Sequence, residues 1–349
     1  MQNTIFILGL AIILGLVYLW AFKHLPRERW QILGTIPIRK QPDGQWQGLN
    51  LTYYGLINAC AVTFAFIMTF VLLAAVSMPL NIIAFLCCGL LAFSAPGAKW
   101  VAYLVERKKH TFTIGGAAFC GMVGSPLLLI LLQSFPLRWG APELPVLPII
   151  AAMAIAYAFG EGSGRLACLS FGCCYGKPID TLPQFLQRIA APFTIVFHGD
   201  TKKIAYADNL NGCRVLAVQV ITAVLYTSIG LLGAYLYLLG HYRSAYLVCI
   251  LVTQIWRILS EFIRADYRGG GRISAYQYLA AIAVLAAVIY SLILPDCSLK
   301  TDVVRGLTIL WHPMVIIVTQ ALWATIFLYM GRSKITASHI SFFVHSDRI

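Results

Sequence analysis

Charge is scarce in this chain. Only 11% of its 349 residues are Asp, Glu, Lys or Arg, against about 25% in soluble globular proteins, and acidic residues are scarcest, 13 beside 26 Lys and Arg. Long polar segments are missing too, so no second, soluble domain is expected. The cysteines show no spacing of the kind that frames a small secreted disulfide protein. The first apolar run, from residue 4 to 20, has no lysine before it and no small-residue cleavage site after it, and so reads as a retained helix and not a signal peptide.

Apolar side chains fill the space that charge leaves. Hydrophobic residues make up 60% of the chain and the mean hydropathy is +0.79. Runs of about 20 apolar residues recur along the whole length, and each is long enough as a helix to cross about 30 Å of hydrocarbon. A helix satisfies its own backbone hydrogen bonds where water is absent. Composition therefore predicts an all-α, polytopic integral membrane protein. The net charge of +13 does not indicate nucleic acid, because the Lys and Arg residues sit in short loops between apolar runs, where headgroup-facing loops carry them.

Nine spans are expected, at roughly 4–22, 53–77, 80–104, 112–134, 146–163, 214–239, 244–262, 273–294 and 307–330. Pro79, Pro136, Pro145, Pro295 and Pro313 stand at or near their ends, as proline does where helices start or stop. Two polar stretches remain. Lys23–Asn50 is basic and holds Trp30 and Trp46, which suits the membrane interface. Residues 161–213 are rich in Gly, Pro, Cys and charge and contain a β-prone run at 193–197, so a small extramembrane lobe is expected there. If residue 1 lies outside, most of the Lys and Arg fall in inner loops, which places this lobe inside. Ser338–Ile349 reads as a tail.

The chemistry concentrates in Gly162–Pro178, GSGRLACLSFGCCYGKP. Charge at the end of a membrane span is costly and usually has a task. The planar fork of Arg165 suits bidentate contact with a phosphate, with glycine amides as further donors; alternatively Arg165 simply snorkels to the interface. The segment resembles the signature of the prolipoprotein diacylglyceryl transferase family, Gly-Arg-Ile-Gly-Asn-Phe-Ile-Asn-Gly-Glu-x-Trp-Gly-Arg-Pro. Gly164, Arg165, Gly172, Gly176 and Pro178 match it outright. Four more stretches agree in order: Tyr54-Gly55-Leu56, the glycine-rich Gly115–Gly124, Glu261-Phe262-Ile263-Arg264-Ala265-Asp266, and Ser274-Ala-Tyr-Gln277.

The resemblance implies a seven-helix core over about 51–295, with residues 1–50 adding a helix and a basic interfacial segment and residues 296–349 adding a helix and a tail. It implies a multi-pass protein of the bacterial inner membrane. The family moves the diacylglyceryl group of phosphatidylglycerol to the thiol of a prolipoprotein lipobox cysteine and releases glycerol phosphate. Two arginines central in it correspond to Arg165 and Arg264, which are expected to grip the phosphate. Tyr54, Gly164, Gly176, Gln219, Glu261 and Cys174 are expected around the substrate, with no cofactor and no metal. The sequence departs from the pattern where the family has a histidine (Cys120 here), two asparagines (Cys168 and Phe171) and a glutamate (Cys173). Of a His-Pro-x-Gln-x-x-Glu motif falling on residues 216–222, only Gln219 survives.

Several lost polar positions have thus become cysteine. Cys120, Cys168 and Cys173 are candidates for catalysis as thiols beside Arg165, whose charge favours thiolate. They are also candidates for small packing residues, or for soft-metal ligands together with His110 or His198, although adjacent cysteines at 173 and 174 are not the usual ligand spacing. Surrounding glycines suggest that the cluster lies on a loop or broken helix. Glu161 and Glu261 lie near the two arginines and read first as their salt-bridge partners; Glu161 is the better placed general base. A non-catalytic lipid-binding protein on the same fold, or a membrane thiol-redox protein, are the competing functions.

Overall fold

Among the described residues, eight helices are long and apolar enough to cross a membrane. The structure, a computed structural model, describes residues 1–106, 114–127, 129, 144–265 and 273–349. The eight helices are α1 (Gln2–His24), α2 (Tyr53–Ala75), α3 (Leu80–Glu106), α5 (Val146–Phe171), α8 (Val218–Leu238), α9 (Tyr242–Ile263), α10 (Ala275–Ile293) and α12 (Pro313–Met330). The polytopic, predominantly helical fold read from composition is what the chain adopts. The expected span at 112–134 falls partly outside the described residues. What is described of it is α4 (Ile114–Phe119), which winds on through a π-helical stretch at Cys120–Gly124.

Helix α5 is the centre of the bundle. It packs on α2, α8 and α9, and nearly four-fifths of its apolar window is buried. Without a hydrophobic driving force in lipid, helices associate by close packing of small residues. A Cβ on Gly160 would come 2.9 Å from the Ala65 Cβ, and one on Gly162 would come 2.9 Å from Thr227 Oγ1. The sequence Gly160-Glu-Gly-Ser-Gly164, which reads as loop by propensity, is therefore helical because α2 and α8 press against it. This moves the start of the lobe from residue 161 to Gly172. There the helix ends in a left-handed residue (φ 71°), with the amides of Gly172 and Cys173 both donating to the Cys168 carbonyl, which is how glycine closes a helix C-terminus. Cys168 is accordingly a helical residue, and only Cys173 and Cys174 lie in the turn.

Two small sheets lie at one face of the bundle. The first joins β1 (Ile32–Lys40), β2 (Trp46–Thr52) and β5 (Arg332–Ile340) in antiparallel order, with β2 central. The tail expected from Ser338 is thus strand as far as Ile340. Its alternation of Lys334-Ile335-Thr336-Ala337-Ser338 fits a pleat, and β2 supplies the backbone partners. Trp30 packs edge-on to Trp20, with ring centroids 4.9 Å apart, and against Tyr53 at 5.1 Å. The second sheet pairs β3 (Thr194–Val196) with β4 (Arg214–Leu216), within the β-prone run seen in the sequence. Two short helices, α6 (Gln184–Ala190) and α7 (Lys203–Asp208), complete the lobe. At the opposite face Pro313 divides the span expected at 307–330 into a short α11 (Val303–Thr308) and α12.

Candidate active site

Charged side chains from α5 and α9 meet inside the bundle. Arg165 and Glu161 are one turn apart on α5 and form an ion pair. Arg257, Ser260, Glu261 and Arg264 share one face of α9 and its C-terminal end, and Arg264 pairs with Glu261 at 3.7 Å, their side chains only 6% and 5% exposed. With Val218, Thr222, Tyr226 and Trp256 these arginines line one narrow recess. Three guanidiniums against two carboxylates leave one net positive charge there among the described residues. Arg165 Nε and Arg257 Nη1 are buried without a hydrogen-bond acceptor among the described residues. Buried donors are nearly always paired, so these two are left with hydrogen-bonding capacity directed into a recess of net positive charge.

Arg165 also borders a second, larger space. A cavity of about 300 Å³ runs between α2, α3, α4, α5 and α9, walled by apolar residues such as Ala61, Ala65, Phe66, Leu90, Met122 and Ile150. Its polar lining includes Asn58, Glu161, Gly164, Arg165 and Cys168. A charged end on an apolar cavity is the shape of a site for an amphiphile.

Backbone pairing fixes Arg264 at the charged recess. Residues 175–178 run between the ends of α9 and β4: the Lys177 amide donates to the Ile263 carbonyl at 2.9 Å, the Ala265 amide to the Tyr175 carbonyl at 3.1 Å, and the Gly176 amide to the Leu216 carbonyl at 3.0 Å. A Cβ at Gly176 would stand 2.5 Å from the Leu216 Cβ, so glycine is required for the approach. The Ser274–Gln277 motif turns out to be a capping box at the start of α10, with Gln277 Nε2 also donating to the Ile258 carbonyl at 3.0 Å. It ties α10 to α9 one residue from Arg257.

The cysteines divide. Cys168, Cys173 and Cys174 gather so that their sulfurs lie within 4.8 Å of one another. Tyr54 packs at a tilt against Phe171, ring centroids 5.3 Å apart. Gln219 is wholly buried and donates to the Cys173 carbonyl at 2.6 Å, holding the turn against α8. Hydrogen bonding with Cys168 and Cys174, together with burial, pushes the Cys173 thiol well above its ordinary range. Cys120 is not brought to the cluster. It packs against Gly97 of α3, where a Cβ would meet its sulfur at 2.5 Å, and it is absent from the cavity lining. His198 is exposed in the lobe, and His110 and Asp266 lie outside the described residues.

Behind the cysteine turn sits a buried Lys202. Its Nζ donates to the carbonyls of Ser170 at 2.6 Å and Leu25 at 3.3 Å, the ends of α5 and α1. Burial lowers its pKa to about 8, with Glu28 opposing that shift.

A sequence model of the prolipoprotein diacylglyceryl transferase family matches residues 45–293, more than half of the chain. The chain belongs to the prolipoprotein diacylglyceryl transferase family. It is also similar to phosphatidylglycerol–prolipoprotein diacylglyceryl transferase 2 of Clostridium perfringens, with 26% identity over 188 residues. That match takes in 51% of this chain and 60% of the relative's length.

Within this transferase family member, Arg257 is the polar residue that sequence reading passed over. An arginine inside an apolar span is itself a signal, and its spacing of four and seven from Glu261 and Arg264 places all three on one helix face. Gly115 makes room for it, since a Cβ there would lie 2.5 Å from Arg257 Nη2. The glycine-rich segment thus admits a guanidinium, which only the folded packing reveals. Gly164 faces Asn58 and Ala61 with ordinary spacing and borders the cavity.

Proposed function

We propose that the protein transfers the diacylglyceryl group of an anionic phospholipid, phosphatidylglycerol, to the thiol of a prolipoprotein lipobox cysteine, releasing glycerol phosphate. The observation that carries this reading is the pair of buried guanidinium donors without an acceptor among the described residues, Arg165 Nε and Arg257 Nη1, in a narrow recess of net positive charge, with Arg165 also lining the apolar cavity inside the membrane bundle. A phosphodiester brings one negative charge to a recess with one net positive charge. As the bond to the glyceryl carbon breaks, the departing phosphate gains a second negative charge, and fixed guanidiniums stabilise it without reorganising. Glu161 and Glu261 pair with Arg165 and Arg264 and hold them in place.

The test is glycerol phosphate release from phosphatidylglycerol vesicles containing the purified protein and a lipobox peptide. Release should require both peptide and lipid, and Arg165→Ala or Arg264→Ala should cost roughly 100-fold or more in rate, the scale on which removing one charge-stabilising donor acts. Lys at either position should restore little, because the planar fork is lost. One observation favours a second reading, a non-catalytic phospholipid-binding protein. Cys120, at the family's histidine position, packs away from the cavity, and no histidine lines the cavity among the described residues. Phosphatidylglycerol binding without any release would select that reading.

A further inference from the structure

The three clustered thiols have the geometry of a metal site. A zinc-type ion holds thiolates at about 2.3 Å, which separates ligand sulfurs by about 3.8–4.0 Å in tetrahedral or trigonal arrangement. Cys168 Sγ and Cys174 Sγ stand 3.9 Å apart, and all three sulfurs lie within 4.8 Å of one another. Neighbouring residues normally project in different directions, which is why the adjacent pair at 173 and 174 is poor ligand spacing in sequence. The fold overcomes this with two left-handed residues, Gly172 at φ 71° and Cys174 at φ 60°, and with Gln219 anchoring the carbonyl between them.

We propose that Cys168, Cys173 and Cys174 form a three-thiolate site for a soft divalent cation of the zinc type, whose open fourth position takes the thiol of the acceptor as a thiolate. The second half of this proposal rests on the transferase reading; the first does not. Three protein ligands with one open position mark zinc sites that act on substrate. Cys168 and Cys173 are buried while Cys174 is partly accessible, so the open side faces the accessible end. The cation with three thiolates carries one net negative charge, and Arg165 stands one turn before Cys168 on the same helix and lines the same cavity.

The transfer chemistry has a use for such a group. The cavity's carboxylate, Glu161, is held by Arg165, and no described histidine lines the cavity to take a thiol proton. A thiol bound to the metal is deprotonated outright, and its proton passes to water. The sulfur then forms its bond to the glyceryl carbon as the bond from that carbon to the phosphate oxygen breaks, the electron pair leaving with glycerol phosphate. The metal keeps its oxidation state throughout.

The experiment is titration of the reduced, purified full chain with zinc and with cadmium, read by metal content and by the thiolate-to-cadmium charge-transfer absorption. One ion per chain is expected. Cys168→Ser, Cys173→Ser and Cys174→Ser should each weaken binding by at least the roughly 10–100-fold that loss of a mere outer-shell partner costs. Cys213→Ser, whose exposed thiol stands outside the cluster, should bind like wild type and controls for general damage to the fold. Absence of stoichiometric binding, equal binding by the triple Ser variant, or a disulfide among the three cysteines would overturn the metal site. Transfer that survives chelation of the ion would overturn its role in activating the acceptor while leaving the transferase intact. Metal bound without any transfer would sustain the site and overturn both the transferase reading and the acceptor half of this proposal.

Discussion

A guanidinium in the middle of an apolar helix has no neutral form to retreat to at any ordinary pH, so Arg257 must be satisfied by what surrounds it. Tyr276 lies beneath it, 5.9 Å from ring centroid to guanidinium carbon, yet Nη1 keeps no acceptor among the described residues. Arg257→Gln should therefore impair phosphatidylglycerol binding and transfer by about 100-fold while leaving thermal stability near that of wild type, because a costly buried charge is removed with the donors. A large loss of stability with unchanged lipid binding would make Arg257 a packing residue. Lys202 poses the reverse case, a buried amine with two carbonyl partners. Its folded pKa of about 8 lies below its free value of 10.5. The unfolded chain thus binds more protons between those limits, and stability rises with pH through the window of 8 to 10.5. Melting curves in detergent should show wild type gaining stability from pH 8 to pH 10 more steeply than Lys202→Met; parallel curves would contradict the shift.

Helix α5 shows where local preference and packing part company. Its apolar half was legible as a span, and the five family-like stretches placed Arg165, Arg264 and Glu261 near one another before any geometry was known. The helix nevertheless runs on through Gly162, Ser163 and Gly164, since small residues serve as contact surfaces between membrane helices and not as breakers. The same rule hid Arg257, because a sequence cannot show which glycine leaves space for which side chain. The π-helical stretch at Cys120–Gly124 had no sequence cue either, and it is part of the helix that turns Cys120 toward Gly97. By contrast Ser274 and Gln277 were visible as a pair, and their role as a helix cap is local. At the end of α5, Gly172→Ala places a Cβ 3.0 Å from the Lys202 Cβ in a left-handed conformation, which should cost about 1–2 kcal/mol from the backbone alone. A lowered melting temperature in detergent is expected, together with weaker metal uptake by the neighbouring cysteines.

At the scale of the whole molecule, segments outside the matched core are joined to it by backbone and not by side chains alone. Thr52, which caps α2, donates its amide to the Gly331 carbonyl at 2.9 Å, and Gly55 lies against the Gly331 backbone. Strand β5 then pairs along β2 with Leu49 opposite Ala337. Cysteines placed at those two positions should crosslink under mild oxidant and give a mobility shift on a denaturing gel. Failure to crosslink would mean that the strands do not meet. In bulk composition none of this could be read, because a strand nine residues long with mixed polarity resembles any loop beside a membrane.

The position of β5 in the chain also sets an order of events during synthesis. Strand β2 is translated before seven of the eight described spans and β5 after all of them, so one edge of β2 stays unpaired while the bundle is being inserted. An open edge recruits any passing strand. Until the ribosome has delivered residues 332–340, the nascent protein therefore carries an unfilled berth at its interface, and slow or interrupted translation near its end leaves the membrane bundle assembled but that berth exposed to the wrong partner.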